Sequence, residues 1–382
     1  MILARQGVRA FALLLGGLLL APAAPAAATK FREVLADTVR ESDPTPSPDG
    51  KWLAFTMAKS GTLTDIWVMP IGGGEARRVT DEPDSARAMT PTWAPDSKSL
   101  LFVSTRDRQY NVYSIPLEGG TAKRLTHSIG SHRFASISPD GSQIVFPSNR
   151  LDSGSLYGYN LYLMDREGER EGHWARPITK MNGSPGHPTW SPDGKWIAFV
   201  SKDVDTSKVV DLGQGMQSTR SAIFASFRVF KMPVEGGKPI QLSGLLPSEA
   251  KDEDVWPTWS PDGKWIAVAK RVNMKNDVWL VDAEGKRPPV QVTTEGVCSK
   301  PTWSADGKEI WYTVVDKGKE DIWVASDITI PPPPPPAPAK KAPTFKPVSS
   351  GKGSTAPPTG TTKKTAPKTT TKSGASTTGT KR

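Results

Sequence analysis

The chain has 382 residues, a net charge of +10, 36% hydrophobic residues and one cysteine. That is enough apolar material for one large domain or two ordinary ones, and a single cysteine excludes an intrachain disulfide framework. The surplus positive charge lies in residues 331–382, which carry ten Lys or Arg and no Asp or Glu, so residues 1–330 sum to zero and a basic folded body is excluded.

Residues 1–28 place Arg5 and Arg9 before an apolar run, 11–20, and end on Ala26, Ala27 and Ala28. This is the order of a secretory signal peptide cleaved after Ala28. The apolar run is too short for a membrane span. The expected mature protein is periplasmic or secreted, monomeric, and without a transmembrane span.

From residue 29 to 330 one dozen-residue pattern recurs. It reads WSPDGKWIAFVS at 190–201, WSPDGKWIAVAK at 259–270 and WSADGKEIWYTV at 303–314. Looser copies are PSPDGKWLAFTM at 46–57, WAPDSKSLLFVS at 93–104 and ISPDGSQIVFPS at 137–148. A second apolar pattern follows each copy, as in Asp65-Ile66-Trp67 and Asp277-Val278-Trp279. After the first five copies comes a third, as in Arg78-Val79-Thr80 and Gln291-Val292-Thr293. Each unit therefore predicts four short strands at a period of about 45 residues, the signature of propeller blades. Apolar residues alternate along the strands, and many intervening positions are apolar too, so both faces of each sheet should be covered.

A solenoid of the same period is the competing architecture. Closure is favoured because the sixth unit runs into proline at Pro331 before its fourth strand. Val34 lies fifteen residues before Asp49, the spacing that separates Leu125 from Asp140 and Ile178 from Asp193. Residues 31–36 thus occupy a fourth-strand slot and predict an all-β, six-bladed propeller closed by its N-terminal strand. In the repeated Ser-Pro-Asp-Gly, Pro and Asp suit the first positions of a tight turn and Gly the positive φ it needs, so the aspartates read as turn formers. Insertions lengthen the middle hairpins of the fourth unit (203–225) and the third (150–159). Residues 331–382 open with six prolines and continue in Lys, Thr, Ala, Pro, Ser and Gly, a composition that predicts a disordered basic arm for anionic envelope polymers. Export and the absence of aromatic residues interleaved with the charges argue against nucleic acid.

These repeats resemble the exported bacterial TolB-type propellers, whose blades carry the same W-S-P-D-G-x-x-I/L-A-F pattern (PD repeats, related to the WD repeat). The resemblance spans residues 30–327. It covers the propeller alone, because only about fifteen residues lie between the leader and the first blade, where TolB has an α/β domain. It implies binding of a protein or peptide, with a peptidoglycan-associated lipoprotein as the family's partner, at the mouth of the channel. Related propellers cap serine peptidases, but no G-x-S-x-G elbow, P-loop, H-E-x-x-H or paired C-x-x-C motif occurs here. No catalytic residue, metal or cofactor is assigned.

The first strand of each blade lines a propeller's channel. Six residues before each turn aspartate stand Asp43, Thr90, Phe134, His187, Trp256 and Lys300. Two residues earlier, on the same side of an extended strand, stand Glu41, Ala88, His132, Pro185, Asp254 and Cys298. The expected ligand site is Asp43, Thr90, Phe134, His187, Trp256 and Lys300 with His132 and Asp254, Trp256 and Phe134 serving as anchors. The reading carried forward is an exported, non-enzymatic binding scaffold. The alternative is a lyase or hydrolase acting on envelope material or glycans through the channel histidines and acids, with a metal held by His132, His187, Glu41 and Asp254 as one form of it.

Overall fold

The computed structural model describes residues 29–35, 40–151, 158–202, 210–211, 217–218, 226–244, 252–328 and 330. The leader, the tail, much of 150–159 and most of 203–225 lie outside the described residues; within 203–225 the described part is a ribbon pairing Val210–Asp211 with Gln217–Ser218. Among the described residues no helix is long and apolar enough to cross a membrane.

Six four-stranded antiparallel sheets form the body. In the first blade Glu41–Pro46, Trp52–Ser60, Leu63–Pro70 and Arg77–Arg78 pair in order from the channel outward. The inner strands of the next five blades are Ala88–Trp93, Ser136–Ile137, Gly186–Trp190, Glu253–Trp259 and Cys298–Trp303. Neighbouring inner strands touch all the way round, and Glu41–Pro46 meets Cys298–Trp303 to complete the ring. The sixth blade takes its outer strand from the start of the chain: Lys30–Leu35 pairs antiparallel with Lys319–Ser326. Glu33 lies opposite Trp323 as Arg124 lies opposite Tyr113, so Val34 corresponds to Leu125, the equivalence expected from the fifteen-residue spacing.

Six apolar clusters fill the six clefts between blades, which is why both faces of each strand are apolar. Leu53 and Phe55 pack toward Trp311, Ile322 and Val324 of the sixth blade. Ala54, between them, faces Trp93, Leu100 and Phe102 of the second. Val34 and Leu35 of the closing strand pack against the same cluster as Phe55.

The repeated turn is held by its own side chains. Ser47 Oγ donates to Asp49 Oδ1 at 2.6 Å and accepts from Trp52 N at 2.9 Å, while Asp49 Oδ1 also accepts from Lys51 N. Gly50 supplies the φ of +71° that the turn needs. The same bonds recur around Asp193, Asp262 and Asp306. Hydrogen bonds from the motif serines hold the carboxyls of Asp49, Asp140, Asp193 and Asp306 below the usual carboxylate range.

Deleting residues 30–35 should leave Lys319–Ser326 as a bare sheet edge and open the cluster around Phe55. Calorimetry is expected to show a melting temperature lower by roughly 10 °C, with aggregation on heating. An unchanged transition would mean that the ring does not depend on this strand.

Candidate functional site

Each inner strand begins with regular pairing to the second strand and is then interrupted. In the first blade Ser42 pairs with Thr56 and Thr45 with Ala54, so Asp43 and Pro44 together oppose Phe55. This is a β-bulge, which re-aims the side chain it carries. The interruption recurs in blades two, four, five and six. In the third, His132 bridges to Ser148 before Ser136 pairs with Val145.

At the bulge stands a non-glycine residue in left-handed backbone: Asp43 (φ 57°), Thr90 (51°), Phe134 (48°), His187 (50°), Trp256 (52°) and Lys300 (51°). Each such residue costs about 1–3 kcal/mol, and five precede a proline, which restricts them further. Because the conformation is the same for an acid, a base, a hydroxyl and three aromatic rings, the strain belongs to the blade. Chemical identity at that position is left free.

All six line one cavity of about 200 Å³ along the channel. Five of them, all but His187, also line a second cavity of about 320 Å³ with Arg40 and Arg87 from the loops before the inner strands, Met89 from the inner strand of blade two and Glu320 from the start of Lys319–Ser326. The six thus form a collar with two unlike arcs. On one, Lys300 Nζ lies 2.9 Å from Asp43 Oδ1, and Asp43 Oδ2 accepts from Thr56 Oγ1 at 2.9 Å. On the other, the Phe134 and His187 rings lie 3.8 Å apart, and Trp256 meets His187 edge-on at 5.8 Å. Burial pushes the His187 imidazole down to about 3; the Asp43 carboxylate pulls the other way, while Lys300 and Arg133 add to the depression. Thr90 Oγ1 and His187 Nδ1 are buried without a hydrogen-bond partner among the described residues, a costly state for a polar atom.

The residues two places earlier are elsewhere. Glu41, Ala88, His132, Asp254 and Cys298 are fully buried and Pro185 is buried; none lines either cavity. Alternation along an extended strand fails at a bulge, because the extra residue shifts the parity of the faces. His132, expected at the mouth, is packed between blades two and three: Nδ1 lies 2.9 Å from Ser148 Oγ, Nε2 3.1 Å from Ser128 O, and its ring meets Phe146 edge-on. Asp254, also expected there, accepts from Ser243 Oγ at 2.5 Å. The set His132, His187, Glu41 and Asp254 therefore does not come together as metal ligands.

Among the described residues the acid and thiol atoms that do cluster are those of Asp277, Glu295 and Cys298. Asp277 Oδ1 accepts from Thr293 Oγ1 and from Gly296 N, both at 2.9 Å. The same lock occurs in the first blade, where Asp65 Oδ1 accepts from Thr80 Oγ1 and Glu82 N. Burial pushes the Cys298 thiol up to about 12, so it is protonated near neutrality. The cluster fastens a blade. Residues that the repeat counting passed over are Arg40 and Arg87, each three before the bulge residue of its blade, and Arg133, one before Phe134.

The model of the TolB β-propeller domain matches residues 26–156. An uncharacterized protein of Agrobacterium fabrum is 28% identical over 233 residues, which is 61% of this chain and 71% of that one. Among solved structures, a protein assigned as TolB from Agrobacterium tumefaciens superposes with a TM-score of 0.55 at 20% identity, covering 77% of this chain and 93% of that one. An oligogalacturonate lyase in complex with manganese superposes at 0.52 with 14% identity, covering 78% and 93%. These superpositions share the fold, and they include both a TolB and an enzyme. The family match bears out the resemblance read from the repeats.

Imidazole nitrogens held neutral by burial predict a pH response with a definite sign. The folded values, about 4 for His132 and about 3 for His187, lie below the ordinary 6.5, so the unfolded chain binds these protons first. Their effect on stability is absent above pH 6.5 and grows as a loss as pH falls from 6.5 toward 4. Nuclear magnetic resonance should show no titration of either ring between about pH 8 and about pH 5. A midpoint near 6.5 for either would contradict the burial described.

Proposed function

From the premise that this chain carries a TolB-type PD-repeat propeller, we propose that it is an exported binding scaffold which takes a protein or peptide segment at its channel mouth. The supporting observation is the collar: six bulge residues, one from each blade, share one cavity and differ in chemistry while sharing a backbone conformation. Trp256 and Phe134 serve as apolar anchors, and the buried Thr90 hydroxyl and His187 Nδ1 as groups that a segment entering the channel would satisfy. The partner is an envelope protein; the peptidoglycan-associated lipoprotein of the TolB family is the first to try. The basic residues 331–382 add contact with anionic envelope polymers.

A second reading, a lyase or hydrolase acting on envelope material or glycans, draws on His187. Its imidazole is neutral and its Nδ1 has no partner among the described residues, so it can accept a proton, with a basicity that burial has lowered. The two readings part under substitution. Immobilised mature protein should retain one envelope lipoprotein from detergent extract with or without residues 331–382, and Trp256→Ala should lower that retention by about tenfold or more, the loss typical of a central aromatic anchor. Turnover of a glycan substrate that disappears in His187→Ala but survives Trp256→Ala would overturn the scaffold reading.

A further inference from the structure

The charge at the mouth is lopsided, although residues 1–330 sum to zero. Arg40 and Arg87 line the outer cavity, and neither guanidinium has a hydrogen bond or ion pair among the described residues. Arg133 lines neither cavity; it lies over the Tyr110 ring at 3.8 Å, its Nε is buried with no hydrogen-bond partner among the described residues, and its charge is felt at His187. The acids that line the two cavities are Asp43, engaged by Lys300 and Thr56, and Glu320. Two arginines without carboxylate partners among the described residues therefore line the arc of blades one and two, with Arg133 behind the collar at blade three. Phe134, His187 and Trp256 occupy the arc of blades three to five.

We infer that the mouth recognises an acidic peptide segment, its carboxylates held by Arg40 and Arg87 and an apolar side chain seated between Phe134 and Trp256. This rests on the mouth-binding reading above and names the chemistry of what is bound. Planar guanidinium groups donate paired hydrogen bonds to carboxylates, and two left unpaired at one rim form an anion-binding arc. The aromatic arc asks for the opposite, since it is apolar enough to keep His187 uncharged. An oligouronate carries a carboxylate on every ring and would have to bury one there. A peptide can alternate the two kinds of side chain. The chain's own residues 331–382 are excluded as occupant by sign, having ten positive charges and no acid.

The test is a display library of random heptapeptides selected on the immobilised mature protein. Enriched sequences should carry Asp or Glu next to an aromatic or aliphatic residue. The enriched peptide should lose about tenfold in affinity when its acids are replaced by their amides, and by a similar factor on the double change Arg40→Gln and Arg87→Gln. Binding should weaken as salt is raised. Enrichment of neutral or basic peptides that still depend on Trp256 would overturn the acidic assignment and leave the mouth reading standing. Failure to enrich any peptide, with an oligogalacturonate fragment binding instead, would overturn both. Circular dichroism and melting of the double variant would show whether an affinity loss reflects the mouth or the fold.

Discussion

A sheet with apolar residues on both faces must be covered on both, and every other feature of this molecule follows from meeting that demand six times over. Phe55 and Ala54 are neighbours in sequence, yet they serve different clefts, one toward the sixth blade and one toward the second. No blade can be satisfied by a single partner, so the row of sheets closes on itself. The last cleft is filled from both ends of the folded body: Trp311 and Val324 from the sixth blade, Val34 and Leu35 from the first described strand. Closure also removes a sheet edge that would invite pairing with another chain.

The ring leaves six inner strands around a narrow axis, and the bulge in each decides what the axis presents. Without it, side chains would alternate between cleft and channel all along the strand. With it, one chemically variable residue per blade joins the two that follow it in lining the channel cavity, at a backbone cost that the packed clefts sustain. The carboxylate of Asp43 and the ammonium of Lys300 meet across the junction of blades one and six, while burial by aromatic neighbours keeps His187 neutral on the far side. A mouth charged on one arc and apolar on the other suits a partner with the complementary division.

Blade number, closure and the six collar residues were all legible in the sequence, because the repeat supplies a ruler: a fixed count from Asp49, Asp193 or Asp306 reaches Asp43, His187 or Lys300. What the ruler could not supply was parity. Glu41, His132 and Asp254 were placed beside the collar on the assumption of an unbroken strand, and the bulge sends them into the clefts. Nothing in Asp-Pro or Trp-Pro announces a positive φ, since proline disfavours the helical region for the residue before it and favours extended backbone. The arginines of the rim escaped for another reason. Arg40 and Arg87 stand at one common offset, three residues before the collar, but in the loops ahead of the inner strands, and a count along the strands stops short of them.

The most direct measurement is photocrosslinking from inside the collar. A benzophenone amino acid at position 90, where a threonine hydroxyl faces the channel cavity, would be compared in living cells with the same group at position 174, where an exposed tryptophan stands. One discrete crosslinked envelope protein from position 90, absent from position 174, is the predicted result. Crosslinks from position 174 with none from position 90 would contradict a ligand at the channel mouth and move the binding surface to the outside of the ring.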